Sequence, residues 1–149
     1  MRWTKISKNR LEEDFLVFLT LYNFDVRQGD VCPSWDVFID MGVTLEPISF
    51  TERINHKSYV SLDNTILFYV GRSKPKEREL MRHLKNIVSH SHNIRRGVID
   101  GVEYYTFNDR IPPRTYTMKG RVCVDRWRNF KNGIMESFES IRNRNIELQ

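Results

Sequence analysis

The chain has 149 residues, 40% hydrophobic and 12% aromatic, a content that suits one folded domain and excludes a disordered charged segment. No run of 18 apolar residues exists, which excludes a spanning helix and sets membrane partners aside. The net charge of +5 is divided by position: residues 1–70 hold 7 Lys and Arg against 10 Asp and Glu, and residues 71–149 hold 17 against 9.

In chain order, Asn9-Arg10-Leu11-Glu12 has capping-box character, with Asn9 as N-cap and Glu12 at N3. Leu11, Phe15, Phe18, Leu19 and Tyr22 follow at helical spacing, and Val17 and Leu21 widen the apolar face. A central, well-buried helix is expected, followed by a turn over Phe24 to Asp30. Residues 31–54 admit two readings. As helices, Pro33 sits at N1, Gly42 at C′, and Gly42-Val43-Thr44 gives the spacing of a helix-turn-helix unit. As strands, Trp35, Val37, Ile39 and Met41 alternate with Asp36, Phe38 and Asp40, and Ile48, Phe50, Glu52 and Ile54 continue the pattern. The Thr, Ser, Phe and Ile content of 46–54 favours strand there, with Pro47 suited to an edge. A recognition helix carrying Glu46 and Glu52 with only Arg53 would also have the wrong charge for a duplex groove.

Two hairpins are expected. In one, Asp63-Asn64 joins Tyr59–Leu62 to Thr65–Val70; in the other, Asp100-Gly101 joins Arg96–Ile99 to Val102–Phe107. Asp-Gly between β-rich runs is a strong turn signal, because a type I′ turn needs positive φ twice. Between the hairpins, Pro75 opens a helix to about His90. Asn108 to Arg114 reads as a loop. Tyr116, Met118, Val122 and Val124 read as one face of a strand that Gly120 interrupts. Asp125 then caps a last helix whose Trp127, Phe130, Ile134, Phe138 and Ile141 recur at helical spacing. The expected fold class is α+β: a single domain over 1–149, with an N-terminal buried helix, a mainly antiparallel sheet and two later amphipathic helices.

Cations concentrate in the second half. Lys74, Arg78, Arg82 and Lys85 fall at spacings of 4, 4 and 3 on the helix from Pro75, opposite Leu80, Leu84, Ile87 and Val88. Arg95 and Arg96 continue the charge into the hairpin. Lys119, Arg121 and Cys123 share one face of the last strand, and Arg126 and Arg128 sit in the first turn of the final helix. Cations there oppose the helix dipole, a cost easier to understand with an anion nearby. Lys74, Arg78, Arg82, Lys85, Arg95, Arg96, Arg121, Arg126 and Arg128 are therefore the candidate contacts to nucleic-acid phosphates. Six such contacts imply a log–log salt slope of about −5 on duplex or −4 on single strands. Tyr104, Tyr105 and Phe107 are candidate stacking residues, although one face of their strand must enter the core and the sequence leaves open which one.

Catalytic signals are sparse. Ser89-His90-Ser91-His92 lacks two further metal ligands at suitable spacing, and no glycine-rich phosphate loop or nucleophile motif occurs. Asp36, Asp40, Glu46 and Glu52 invite comparison with metal-dependent nucleases, but the Glu-x-Lys expected there is replaced by Glu52-Arg53-Ile54. No cofactor or metal is expected. Cys32 and Cys123, in neither CxxC nor ligand spacing, read as buried free thiols of a reducing, intracellular compartment, and no secretory signal is recognisable. The chain contains no alanine, a coding bias that points to a viral, phage or mobile-element origin. The expected function is a non-enzymatic nucleic-acid-binding protein. The alternatives are an inhibitor or virion subunit docking on an acidic protein surface, with self-association possible through the opposed halves, and a metal-dependent nuclease.

Overall fold

The computed structural model describes residues 3–5, 14–90 and 93–147, Lys5 by its backbone only. The expected capping box at Asn9 and Glu12, Leu11 of the first helical stripe, and His92 lie outside the described residues.

Six strands form one sheet: β1 (Thr4–Lys5), β2 (Thr44–Ile48), β3 (Thr65–Tyr69), β4 (Ile94–Ile99), β5 (Val102–Ile111) and β6 (Thr115–Cys123), in the order β1-β4-β5-β6-β3-β2. Every neighbouring pair is antiparallel except β2 and β3. The helices are α1 (Val17–Thr20), which runs on as a π-helix over Leu21–Gln28, then α2 (Trp35–Phe38), α3 (Thr51–His56), α4 (Lys76–Ser89) and α5 (Val124–Glu147). The architecture is α+β with a mainly antiparallel sheet, an N-terminal helix and two later amphipathic helices. Among the described residues, no helix is long and apolar enough to cross a membrane.

Alternation along the strands separates two apolar clusters. The larger joins Phe15 and Phe18, the inner faces of α4 and α5, and Ile66, Phe68, Tyr105, Phe107, Met118 and Val122 of the sheet. At its centre Phe15 stacks on Trp127 at 4.7 Å, and Phe107 lies 5.0 Å from the same indole. On the opposite face, α3 packs chiefly on β6, β3 and β2, burying Ile54 against Ile48, Leu62 and Leu67. Toward β5 the cover on this side thins to Tyr59, whose hydroxyl donates to Phe107 O at 3.3 Å and accepts from Asn108.

The Asp100-Gly101 hairpin forms as expected, with φ of 50° and 80° at the two turn residues. The helix from Pro75 also forms as expected. The other hairpin does not. Ser58 and Ser61 bond locally to close a 3-10 turn at Tyr59–Ser61, and Asn64, at φ 48°, sends the chain into β3 between β2 and β6. In the ambiguous stretch each reading holds for part. Trp35–Phe38 is helical and buries Phe38, whereas Gly42, at φ 83°, leads into strand β2, so no recognition helix follows it. The strand expected over 46–54 ends at Ile48, and Thr51–His56 is helical because Ile54 must reach the second cluster. Pro47 does lie in an edge strand, as expected.

The first helix outlasts the turn expected from Phe24. Leu21 and Val26 are both buried five residues apart, and Gly29 N donates to Phe24 O at 2.9 Å, the i to i+5 bond of a π-helix. The expected loop from Asn108 shrinks to 112–114, because β5 continues to Ile111 and turns Asp109 inward. Gly120 does not interrupt β6. It is where the ring of Phe107 crosses the strand: a Cβ there would lie 2.3 Å from Phe107 Cε2. An irregularity opposite Asp109 and Arg110 moves Tyr116 to the α3 side, away from Met118. Helix α5 begins at Val124, so Asp125 belongs to its first turn instead of capping it.

Candidate nucleic-acid interface

The face of β4, β5 and β6 that α3 leaves uncovered is organised in rows across the strands. Arg95, Thr106 and Arg121 stand abreast, with Thr65 of β3 at the end of the row. One pleat repeat away, Gly97 pairs with Tyr104 and Tyr104 with Cys123. One repeat the other way, Asn108 pairs with Lys119. All these residues alternate with Tyr105, Phe107, Met118 and Val122, whose burial in the large cluster fixes this face as the outer one.

Strands lie about 4.8 Å apart, so Arg95 and Arg121 are rooted about 10 Å apart with one short side chain between them. That side chain, Thr106, is only 5% exposed and forms the floor. Arg121 stands 5.1 Å over the ring of Tyr104, a cation–π pair, and has no carboxylate partner among the described residues. Arg121 Nε is buried without a hydrogen-bond partner. Arg95 is exposed and has no carboxylate partner among the described residues. Gly97 lacks the Cβ that would strike Trp3 Cε3 at 2.6 Å, so the Trp3 indole lies against the backbone beside Tyr104.

The α3 side of this face is closed by Tyr59 and Tyr116. Lys119 sits 5.4 Å and 4.3 Å from their ring centres and donates to Lys57 O at 2.9 Å. Burial lowers the Lys119 ammonium pKa from its ordinary value. Burial also pushes the Tyr59 phenol up to about 12, against the opposing pull of its hydrogen bond from Asn108 and of the nearby Arg95 and Arg110 charges. The acids of β5, Glu103 and Asp109, alternate onto the other face. The uncovered part of β4, β5 and β6 therefore carries cations and aromatics and no carboxylate among the described residues.

Of the nine candidate contacts, only Arg95 and Arg121 share this face. Of the expected stripe, Arg78, Arg82 and Lys85 lie on α4, on the helical side of the sheet, whereas exposed Lys74 lies before the helix, which begins at Lys76 after Pro75. Arg78 pairs with Asp30 at 2.7 Å and Arg82 with Glu79 at 2.7 Å. Lys85 lies 5.3 Å over Tyr22, and burial, with Arg82 and Arg27 nearby, lowers its pKa. Arg96 pairs with Glu103 and stands over Tyr105. The two cations at the start of α5 have partners inside the chain. Arg126 donates to Gly42 O at 3.0 Å, and Arg128 pairs at 3.2 Å with buried Asp14, which also accepts from Tyr105 Oη.

Trp3, Tyr59 and Arg110 complete the face and were not among the expected contacts. A glycine inside a strand, opposite a tyrosine, is the one sequence signal that pointed to the position of Trp3. Tyr105 and Phe107 are core residues, so Tyr104 alone of the three candidate stackers faces outward.

The acids expected of a nuclease do not converge. Asp36 and Asp40 flank a groove against Gly133 and Glu136 of α5. Glu46 pairs with Leu67 on the α3 side of the sheet, and Glu52 lies on α3 itself. Among the described residues, no three His, Cys, Asp or Glu side chains are grouped to hold a metal ion. Cys32 and Cys123 are free, and burial pushes the Cys32 thiol up to about 12.

Comparison with known protein families, curated proteins and solved structures gives no match.

Proposed function

We propose that this chain is a non-enzymatic nucleic-acid-binding protein whose contact surface is the uncovered face of β4, β5 and β6. The observation that carries the reading is the row Arg95, Thr106, Arg121, two cations straddling a small residue with no acid beside them among the described residues. A phosphate chain crossing the strands meets Arg95 and Arg121 in turn, and exposed Arg110 extends the track toward the end of β5. The α4 stripe is secondary, because Arg78 and Arg82 already hold Asp30 and Glu79.

Phosphate contacts release condensed counterions, so affinity must fall with salt. Three arginine–phosphate contacts give a log–log slope of about −2 on a single strand. Titration of labelled oligonucleotides at several salt concentrations is the test. Binding with that slope supports the reading. No binding at low salt, or an affinity indifferent to salt, overturns it.

A further inference from the structure

We infer that the ligand of this face is single-stranded, with an unpaired base stacked on the row formed by Trp3 and Tyr104; the inference rests on the nucleic-acid reading above. The two rows carry different chemistry. Trp3 over Gly97 and Tyr104 beside it make an aromatic strip. Arg95 and Arg121 make a cationic strip parallel to it. The strips are two residues apart along each strand, about 7 Å, so a base on the aromatic strip sets its phosphate over the cationic one.

A paired base has both of its π-faces occupied by neighbours in the stack, and only an unpaired base offers one to a tyrosine or an indole. The geometry also disfavours a duplex. A major groove about 12 Å wide admits a helix or a two-stranded ribbon. Here Trp3, Tyr104 and Arg121 stand on a face at least three strands broad, set within the sheet and not on a projecting element. Gly97 has a specific part in this arrangement: without a side chain it lets the indole lie against the strand next to the position of Tyr104. Arg121, already over Tyr104, holds its guanidinium beside the ring on which the base would stack, with no carboxylate partner among the described residues.

The test compares labelled oligomers of equal length as single strands and as duplex, each in ribo and deoxyribo form, against wild type, Y104F, Y104A and W3A. The single strand, of either sugar, is expected to bind at least tenfold more tightly than duplex at the same salt. Y104F should keep that affinity, and Y104A should lose about tenfold while its salt slope stays unchanged. W3A keeps the test independent of the fold of Y104A and should weaken binding in the same way. Duplex binding equal to single strand, or full affinity in both Y104A and W3A, overturns this inference and leaves the arginine track standing. Absence of binding by every oligomer overturns the nucleic-acid reading itself, and with it the inference.

Discussion

His83 Nδ1 stands 2.9 Å from Asp109 Oδ2, with the histidine fully buried, and this pair ties α4 to β5. His83 Nε2 faces Tyr69 O at 2.8 Å, and Asn86 adds a bond to the same carboxylate oxygen at 3.1 Å. One polar knot thus joins the helix that carries the basic stripe to the strands that carry the uncovered face.

Removing either partner leaves the other buried and under-bonded, Asp109 with Asn86 and Thr117 and His83 with Tyr69 O. His83→Ala and Asp109→Ala should each cost about 3–5 kcal/mol of folding stability, the usual penalty for breaking a buried pair. Urea denaturation measures it. A loss below about 1 kcal/mol, the worth of an exposed pair, would show that the knot is not a fixed part of the fold.

Acid should expose the same knot. Burial alone would raise the Asp109 pKa, but hydrogen bonds from His83, Asn86 and Thr117, with the His83 charge, outweigh it and hold the carboxyl below its ordinary 3.8. Asp14 is held low against its own burial by Tyr105, Arg128 and Lys131. A carboxyl depressed by folding binds fewer protons folded than unfolded, so stability rises with pH across that range. Its contribution is complete above pH 3.8 and is lost as pH falls through the lower folded values. Urea unfolding between pH 2 and pH 6 should show wild type weakening below about pH 4, and the Asp14→Asn, Asp109→Asn double variant weakening less. Equal steepness in the two proteins would contradict this assignment.

Gly120 makes a steric prediction. Its missing side chain is the space that the Phe107 ring occupies, so Gly120→Ala forces a shift in the large cluster. Overpacking of this kind costs about 1–3 kcal/mol. Adding Phe107→Leu should recover part of the loss in thermal unfolding. A Gly120→Ala protein as stable as wild type would mean that Phe107 does not cross the strand there.

What the sequence disclosed follows how local each signal is. Asp100-Gly101 encodes its turn in two residues, and the hairpin formed as read. Asp63-Asn64 has the same turn chemistry, yet the strand after it pairs with β2 and β6, partners that no local pattern names. The shared outward face of Lys119 and Arg121 was legible from alternation alone. Whether Tyr104 or Tyr105 faced outward was not, because that depends on Phe15 packing edge-on to Tyr105 at 4.9 Å from the far end of the chain. The α4 stripe was legible as a stripe. Its partial neutralisation came in part from Asp30, 48 residues away from Arg78, and no helical spacing could show that.

The central claim, that the basic surface which matters is the sheet face and not the α4 stripe, is tested most directly by two paired neutralisations. Salt-dependent titration of a labelled single strand is repeated with Arg95→Ala, Arg121→Ala and with Arg78→Ala, Arg82→Ala. The first pair should weaken binding and flatten the log–log slope by about 1.4, the loss of two phosphate contacts. The second pair should leave affinity and slope near wild type, because those arginines are engaged with Asp30 and Glu79. The reverse pattern, with the slope lost from α4 and kept on the sheet, would contradict the account.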